Sequence, residues 1–131
     1  MKLIVDTNVL VRAVVQDDKK QAEAAARLLR RAETIAVSLP CLCEFVWVLR
    51  SVYGFGREEI AAAIRALLDA GNVVVNRPAA DAGLAMLEAN GDFADGVIAW
   101  EGRWLGGETF VSFDKQAVSL LGDLGVEARV V

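Results

Sequence analysis

The stretch Leu3-Ile4-Val5-Asp6-Thr7-Asn8 places three apolar residues directly before an acid and a hydroxyl residue. A short apolar run bounded this way predicts a strand, and the polar pair after it suits the start of a helix. The pattern returns at Ile35-Ala36-Val37, Val73-Val74-Val75 and Phe110-Val111-Ser112, with a fifth strand expected over 126–130. Helical periodicity fills the gaps, at about 7–15, 18–32, 40–53, 57–70, 78–89, 95–105 and 114–122. Pro40 and Pro78 each sit where a helix begins, the position that tolerates a missing N–H. Strands apolar on both faces and separated by helices predict a parallel sheet covered on both sides. The expected fold is α/β: a three-layer α/β/α domain with a central, mostly parallel sheet of four to five strands, formed by residues 1–131 as one domain.

The composition narrows the chemistry. The 131 residues carry 14 Lys+Arg against 18 Asp+Glu, no histidine, and 55% hydrophobic residues. Without histidine there is no Ser-His-Asp or Cys-His nucleophile system, no His-ligated zinc and no imidazole base. Proton transfer and metal binding fall to carboxylates. The formal net charge of −4 argues against a general polyanion-binding surface and leaves room for a local basic stripe. Cys41 and Cys43 are too close for an ordinary disulfide, the N-terminus has too short an apolar run for a signal peptide, and no stretch suits a membrane helix. A soluble, reduced, cytoplasmic protein is expected.

In parallel sheets ligands bind beyond the carboxyl ends of the strands. Asp6 follows the first strand and Asp114 the fourth, so both are expected at one edge crevice. Glu44 lies in Pro40-Cys41-Leu42-Cys43-Glu44-Phe45-Val46-Trp47-Val48-Leu49-Arg50, a helix apolar nearly all round, so its carboxylate is expected to be buried or close to it. A salt bridge or an exposed helix edge is the plain alternative. Asp92 and Asp95 stand in Gly91-Asp92-Phe93-Ala94-Asp95-Gly96, where Asp92 also reads as a helix N-cap. Each acid has an ordinary explanation alone. Four in one crevice would repel one another, and a divalent cation removes that conflict. Oxygen-only ligands suit Mg²⁺, with Mn²⁺ able to substitute, and such an ion activates water for phosphodiester hydrolysis.

These residues carry a resemblance. The chain resembles PIN-domain proteins, in particular VapC-type toxins of type II toxin–antitoxin systems. The matching blocks are Ile4-Val5-Asp6-Thr7-Asn8-Val9-Leu10, the helix Glu44 to Arg50 with Tyr53 after it, Asp92-Phe93-Ala94-Asp95-Gly96-Val97-Ile98-Ala99, and Ser112-Phe113-Asp114-Lys115. The resemblance implies a metal-dependent endoribonuclease whose acidic quartet is Asp6, Glu44, Asp95 and Asp114, with Asp92 as an occasional extra acid. Thr7 and Ser112 fall where the family keeps small hydroxyl residues, expected to donate hydrogen bonds beside the acids. It further implies an RNA substrate, a homodimer and a cognate antitoxin that enters or covers the acidic groove. Gly96 departs from the family's usual helix former and is expected to loosen the helix start.

Other features have competing readings. Lys20, Arg27 and Arg31 share a stripe of the second helix, with Lys19 and Arg30 close by. A solvated face with ion pairs such as Glu23 to Arg27 is the favoured account, ahead of phosphate contacts. Arg12 and Arg50 are better placed to meet RNA or an antitoxin acid. Phe45, Trp47, Phe93, Trp100 and Trp104 suit core or interface packing more than base stacking. Two rival functions fit the sequence less well. A haloacid-dehalogenase-like phosphatase needs a second Asp two residues after the first, where this chain has Asn8. A non-catalytic module gripping a basic peptide has no need of all four acids.

Overall fold

The structure is a computed structural model that describes residues 1–131. The chain divides into two compact units, Met1–Asn76 and Arg77–Val131. No helix is long and apolar enough to cross a membrane.

The first unit runs β1 (Lys2–Ile4), α1 (Thr7–Val14), α2 (Lys19–Arg31), β2 (Thr34–Ala36), α3 (Leu39–Ser51), α4 (Arg57–Asp69) and β3 (Val73–Val74). Its strands pair in parallel in the order β1-β2-β3, with Leu3 opposite Ile35 and Ile35 opposite Val73. Parallel neighbours require helical crossovers, and α1–α2 and α3–α4 supply them. Leu10, Val11, Ile35, Leu42, Phe45, Leu49, Ile60 and Ile64 form its buried core.

Helix α3 shows how its sequence sets its two faces. Ser38 caps it by accepting from the Cys41 N–H at 3.2 Å, and Pro40 sits in its first turn. Cys41, Leu42, Phe45, Val46 and Leu49 make the buried stripe. Glu44 shares the opposite, exposed face with Trp47 and Arg50. The expectation of a buried Glu44 is therefore corrected. A 3.6-residue period turns position 44 away from the stripe that starts at Cys41, and the apolar Trp47 beside it is also exposed.

The second unit runs α5 (Arg77–Glu88), α6 (Phe93–Trp104), β4 (Phe110–Ser112), α7 (Lys115–Asp123) and β5 (Ala128–Val130). Strands β4 and β5 pair in parallel, Ser112 opposite Val130. Met86, Ala99 and Leu121 are buried together, with Phe110, Leu120, Val126 and Ala128 packed against them. Helix α5 ends in a Schellman turn. Asn90 takes a left-handed φ of 68°, and the N–H groups of Asn90 and Gly91 donate to the Leu87 and Met86 carbonyls at 3.2 and 2.7 Å. The turn leaves Asp92 to cap α6 by accepting from the Ala94 N–H at 3.0 Å, so the helix starts two residues earlier than its periodicity suggests.

Gly96 has a different role from the one its sequence context suggests. A Cβ there would run into the Ala82 carbonyl oxygen, and one at Gly83 would lie 2.6 Å from the Phe93 ring. The glycines let α5 and α6 approach closely; they do not loosen α6. Phe93, 1% exposed, fills the space that Gly83 leaves. Burying a ring of this size contributes about 1.5–3 kcal/mol.

All five expected strands are present and every ladder is parallel, but the expected single sheet of four to five strands is corrected: hydrogen bonding joins β1-β2-β3 in one sheet and β4-β5 in another. The strands are not apolar-buried on both faces, however. Val5, Ile35 and Val37 are buried, whereas Ile4 is 89% exposed and Val111 52% exposed.

Candidate functional site

In the first unit the chain leaves β1 and turns at once into α1. Asp6 caps that helix, its Oδ1 accepting from the Thr7 N–H at 2.8 Å. The cap fixes the carboxylate at the carboxyl end of a strand, as the sequence pattern implies. Asp6 is exposed, and its second oxygen has no protein partner. Thr7 is only 5% exposed and is the one buried polar side chain. Its hydroxyl donates to the Cys41 sulfur at 3.7 Å, joining the first turn of α1 to the first turn of α3. Glu44 follows one helical turn after Cys41 and makes no ion pair. Burial pushes the Cys41 thiol pKa up, the Thr7 hydrogen bond opposes this, and the charges of Asp6 and Glu44 add to it. Asp6 adjoins Thr7, Thr7 is bonded to Cys41, and Glu44 stands one turn after Cys41, so Asp6 and Glu44 share one neighbourhood.

In the second unit Asp92 and Asp95 occupy the start of α6, and Asp114 caps α7. Asp114 Oδ1 accepts from the Gln116 and Ala117 N–H groups at 3.0 and 3.1 Å. The Ser112 hydroxyl oxygen accepts from the Asp114 N–H at 3.0 Å and fixes the turn between β4 and the cap. Asp95 is half-buried and bonded to nothing through its side chain. Its carboxyl pKa is raised by burial, then by the negative charges of Asp92 and Asp114. The second unit therefore gathers three acids whose charges feel one another.

Capping explains only part of these carboxylates. Asp6, Asp92 and Asp114 each commit Oδ1 to a helix N-terminus and keep Oδ2 free, while Asp95 and Glu44 keep both oxygens. None of the five is paired with Lys or Arg. The donor set is anionic and oxygen-only, and burial, together with the charges of Asp92 and Asp114, disfavours the charged form of Asp95, a cost that a hard divalent cation relieves. In neither unit do three such side chains close up into a finished ligand cage. The residues fit a hard divalent ion that keeps several waters and takes only one or two carboxylates from a protein.

A model of the PIN domain matches residues 3–119. The chain belongs to the PIN domain family. The match runs through both compact units and includes all five acids. PIN domains are nucleases that generally use divalent metal ions, and the α/β class of this chain is that of the family. A comparison with characterised proteins returned no match.

The remaining candidates of this PIN domain divide. Thr7 and Ser112 do not donate to a carboxylate. Thr7 holds Cys41, and Ser112 holds the backbone of Asp114. Arg50 is exposed at the last turn of α3, where a cation also suits the helix dipole. Arg12 is committed: its Nη1 donates to the Tyr53 oxygen at 3.0 Å and to Asp17 at 3.2 Å, and its Nε to Gln21 at 2.7 Å. The Tyr53 hydrogen bond leads the causes that raise the Arg12 pKa, keeping the guanidinium charged. Among the aromatics, Phe45 and Phe93 are core residues, while Trp47 and Trp104 are exposed and Trp104 stacks on Trp100 at 6.2 Å.

Sequence reasoning missed the Thr7–Cys41 bond and the Arg12–Asp17–Tyr53 cluster. The second left a trace, since Arg12 and Asp17 flank one short helix connection. The first left none, because a threonine and a cysteine 34 positions apart carry no mutual pattern.

Proposed function

We propose that this PIN domain is an endoribonuclease that hydrolyses RNA phosphodiester bonds with Mg²⁺ or Mn²⁺, as the toxin of a toxin–antitoxin pair. The supporting observation is the set of acids at strand ends and helix starts that retain unshared carboxylate oxygens and have no cationic partner. Asp6 and Asp95 would be the principal ion-holding residues of their respective units, with Glu44 beside Asp6 and with Asp114 and Asp92 beside Asp95. The ion supplies an activated water and stabilises charge on the phosphoryl oxygens.

This chain's own residues do the positioning. Thr7 and Cys41 hold the strand-end acid and the α3 acid in one neighbourhood, and Ser112 holds the turn that presents Asp114. A water nucleophile needs neither histidine nor a covalent intermediate, in keeping with a chain that has no histidine. A cognate antitoxin, a homodimer and a cytoplasmic location belong to the same proposal. The exposed Trp47 and Trp104 offer apolar area to a protein partner.

The test is end analysis of an RNA incubated with purified protein and Mn²⁺. Water attack leaves ends without a 2′,3′-cyclic phosphate, and a chelator abolishes the reaction. Cyclic-phosphate ends, formed by attack of the RNA's own 2′-hydroxyl, overturn the proposed mechanism.

A further inference from the structure

Helix α2 carries five of the chain's fourteen Lys and Arg residues, Lys19, Lys20, Arg27, Arg30 and Arg31, and only one of its eighteen acids, Glu23. At about 100° of turn per residue the five cations fall within an arc of about 120°. Ala22 and Ala25, the buried residues of the helix, lie on the opposite side. All five cations are exposed.

Neither ion pairing nor the helix dipole accounts for this face. Glu23 stands one turn from both Lys19 and Arg27 yet pairs with neither, so the expected ladder of ion pairs is absent. Helix stability does not ask for this pattern either. Lys19 and Lys20 occupy the first turn, where the helix dipole disfavours cations, and no acid of that turn offsets them. Only Asp18, the N-cap, does so, accepting from the Gln21 N–H at 3.1 Å. Nor does the face suit a protein partner, because protein interfaces centre on buried aromatic or aliphatic anchors. Only Leu28 at its margin supplies one, at 36% exposure. Isolated cations along about 18 Å of helix match a regularly charged polyanion instead.

We propose that the exposed face of α2 is a phosphate-binding rail for the RNA strand. The inference rests on RNA being the substrate, and it adds where this chain grips the backbone outside the acids. Helix α1 leaves the sheet at the edge carrying Asp6, and α2 returns to the opposite edge, where β2 begins. The rail therefore extends the contact along one flank of the first unit. It reads charge and no base sequence, since phosphate contacts position a strand without specifying it.

The test is binding of a fluorescent single-stranded RNA by anisotropy in a chelator, over a range of KCl concentrations. The variant Lys20→Gln/Arg27→Gln/Arg31→Gln is expected to bind at least about tenfold more weakly, and its log–log salt slope to fall by about 2, or about 0.7 per lost phosphate contact. The variant Lys20→Arg/Arg27→Lys/Arg31→Lys keeps the charge and is expected to bind like the parent. Arg129→Gln, in β5, is expected to change neither quantity. Parent-like affinity and slope in the Gln variant, with its circular dichroism unchanged, overturn the rail. So does a face that loses only an acidic peptide such as poly-glutamate while RNA binding persists. Cleavage of the same RNA by the parent with Mn²⁺ is scored separately. Rail-dependent binding without cleavage defeats the nuclease reading alone, and cleavage with an intact Gln-variant affinity defeats the rail alone.

Discussion

The Thr7 hydroxyl and the Cys41 sulfur lie 3.7 Å apart in a buried hydrogen bond that ties the first turn of α1 to the first turn of α3. Asp6 precedes the one residue and Glu44 follows the other by a helical turn, so a single buried bond links the segments bearing two candidate ligands. Thr7→Val keeps the shape and removes the donor. The expected loss is about 0.5–1.5 kcal/mol of stability, read by chemical denaturation. Mn²⁺ affinity is expected to weaken as well. Cys41→Ser restores an acceptor and should keep both, whereas Cys41→Ala should behave like Thr7→Val.

Packing between α5 and α6 depends on the absence of side chains at two positions. Gly96→Ala places a methyl group against the Ala82 carbonyl, and backbone cannot give way as a flexible side chain can. We expect a loss of about 1–3 kcal/mol in urea unfolding, the usual cost of overpacking. A neutral or stabilising outcome, as expected for a glycine merely exposed in a helix, contradicts this account.

Asp95 yields a pH prediction whose sign follows from its raised pKa. Burial, Asp92 and Asp114 all favour the protonated carboxyl in the folded chain. The folded state then binds more protons than the unfolded state between the ordinary aspartate pKa, about 3.9, and the raised one. In a chelator the associated stability is present below the unfolded pKa and is lost as pH rises through the raised folded pKa. Asp95→Asn removes this penalty, so it should melt higher than the parent at pH 7 and lose that advantage near pH 4. Equal melting temperatures at both pH values contradict the assigned environment.

Much of this was legible in the sequence, for identifiable reasons. Strand ends and caps are local: Asp6 and Asp114 stand where a strand stops and a helix starts, and both are caps. The blocks that carry the PIN resemblance are local as well, and the family match spans the residues that contain them. Faces of apolar helices were harder. The helix around Glu44 reads as apolar nearly all round, yet Glu44 and Trp47 share an exposed face that the packing of α1 and α4 against α3 decides. Close approaches were not legible at all. Gly96 reads as a weak helix former until the Ala82 carbonyl is placed beside it. The Glu23–Arg27 spacing, likewise, allows an ion pair without requiring one.

The central claim is that an ion held by these carboxylates drives RNA hydrolysis, and the Mn²⁺-dependent cleavage rate of Asp95→Asn tests it most directly. Asparagine keeps the size of the side chain and removes the charge, and a thermal melt verifies that the variant is folded. The account predicts a fall of about 100-fold or more, on the scale of losing one group that stabilises transition-state charge. A folded variant that cleaves RNA as fast as the parent contradicts it.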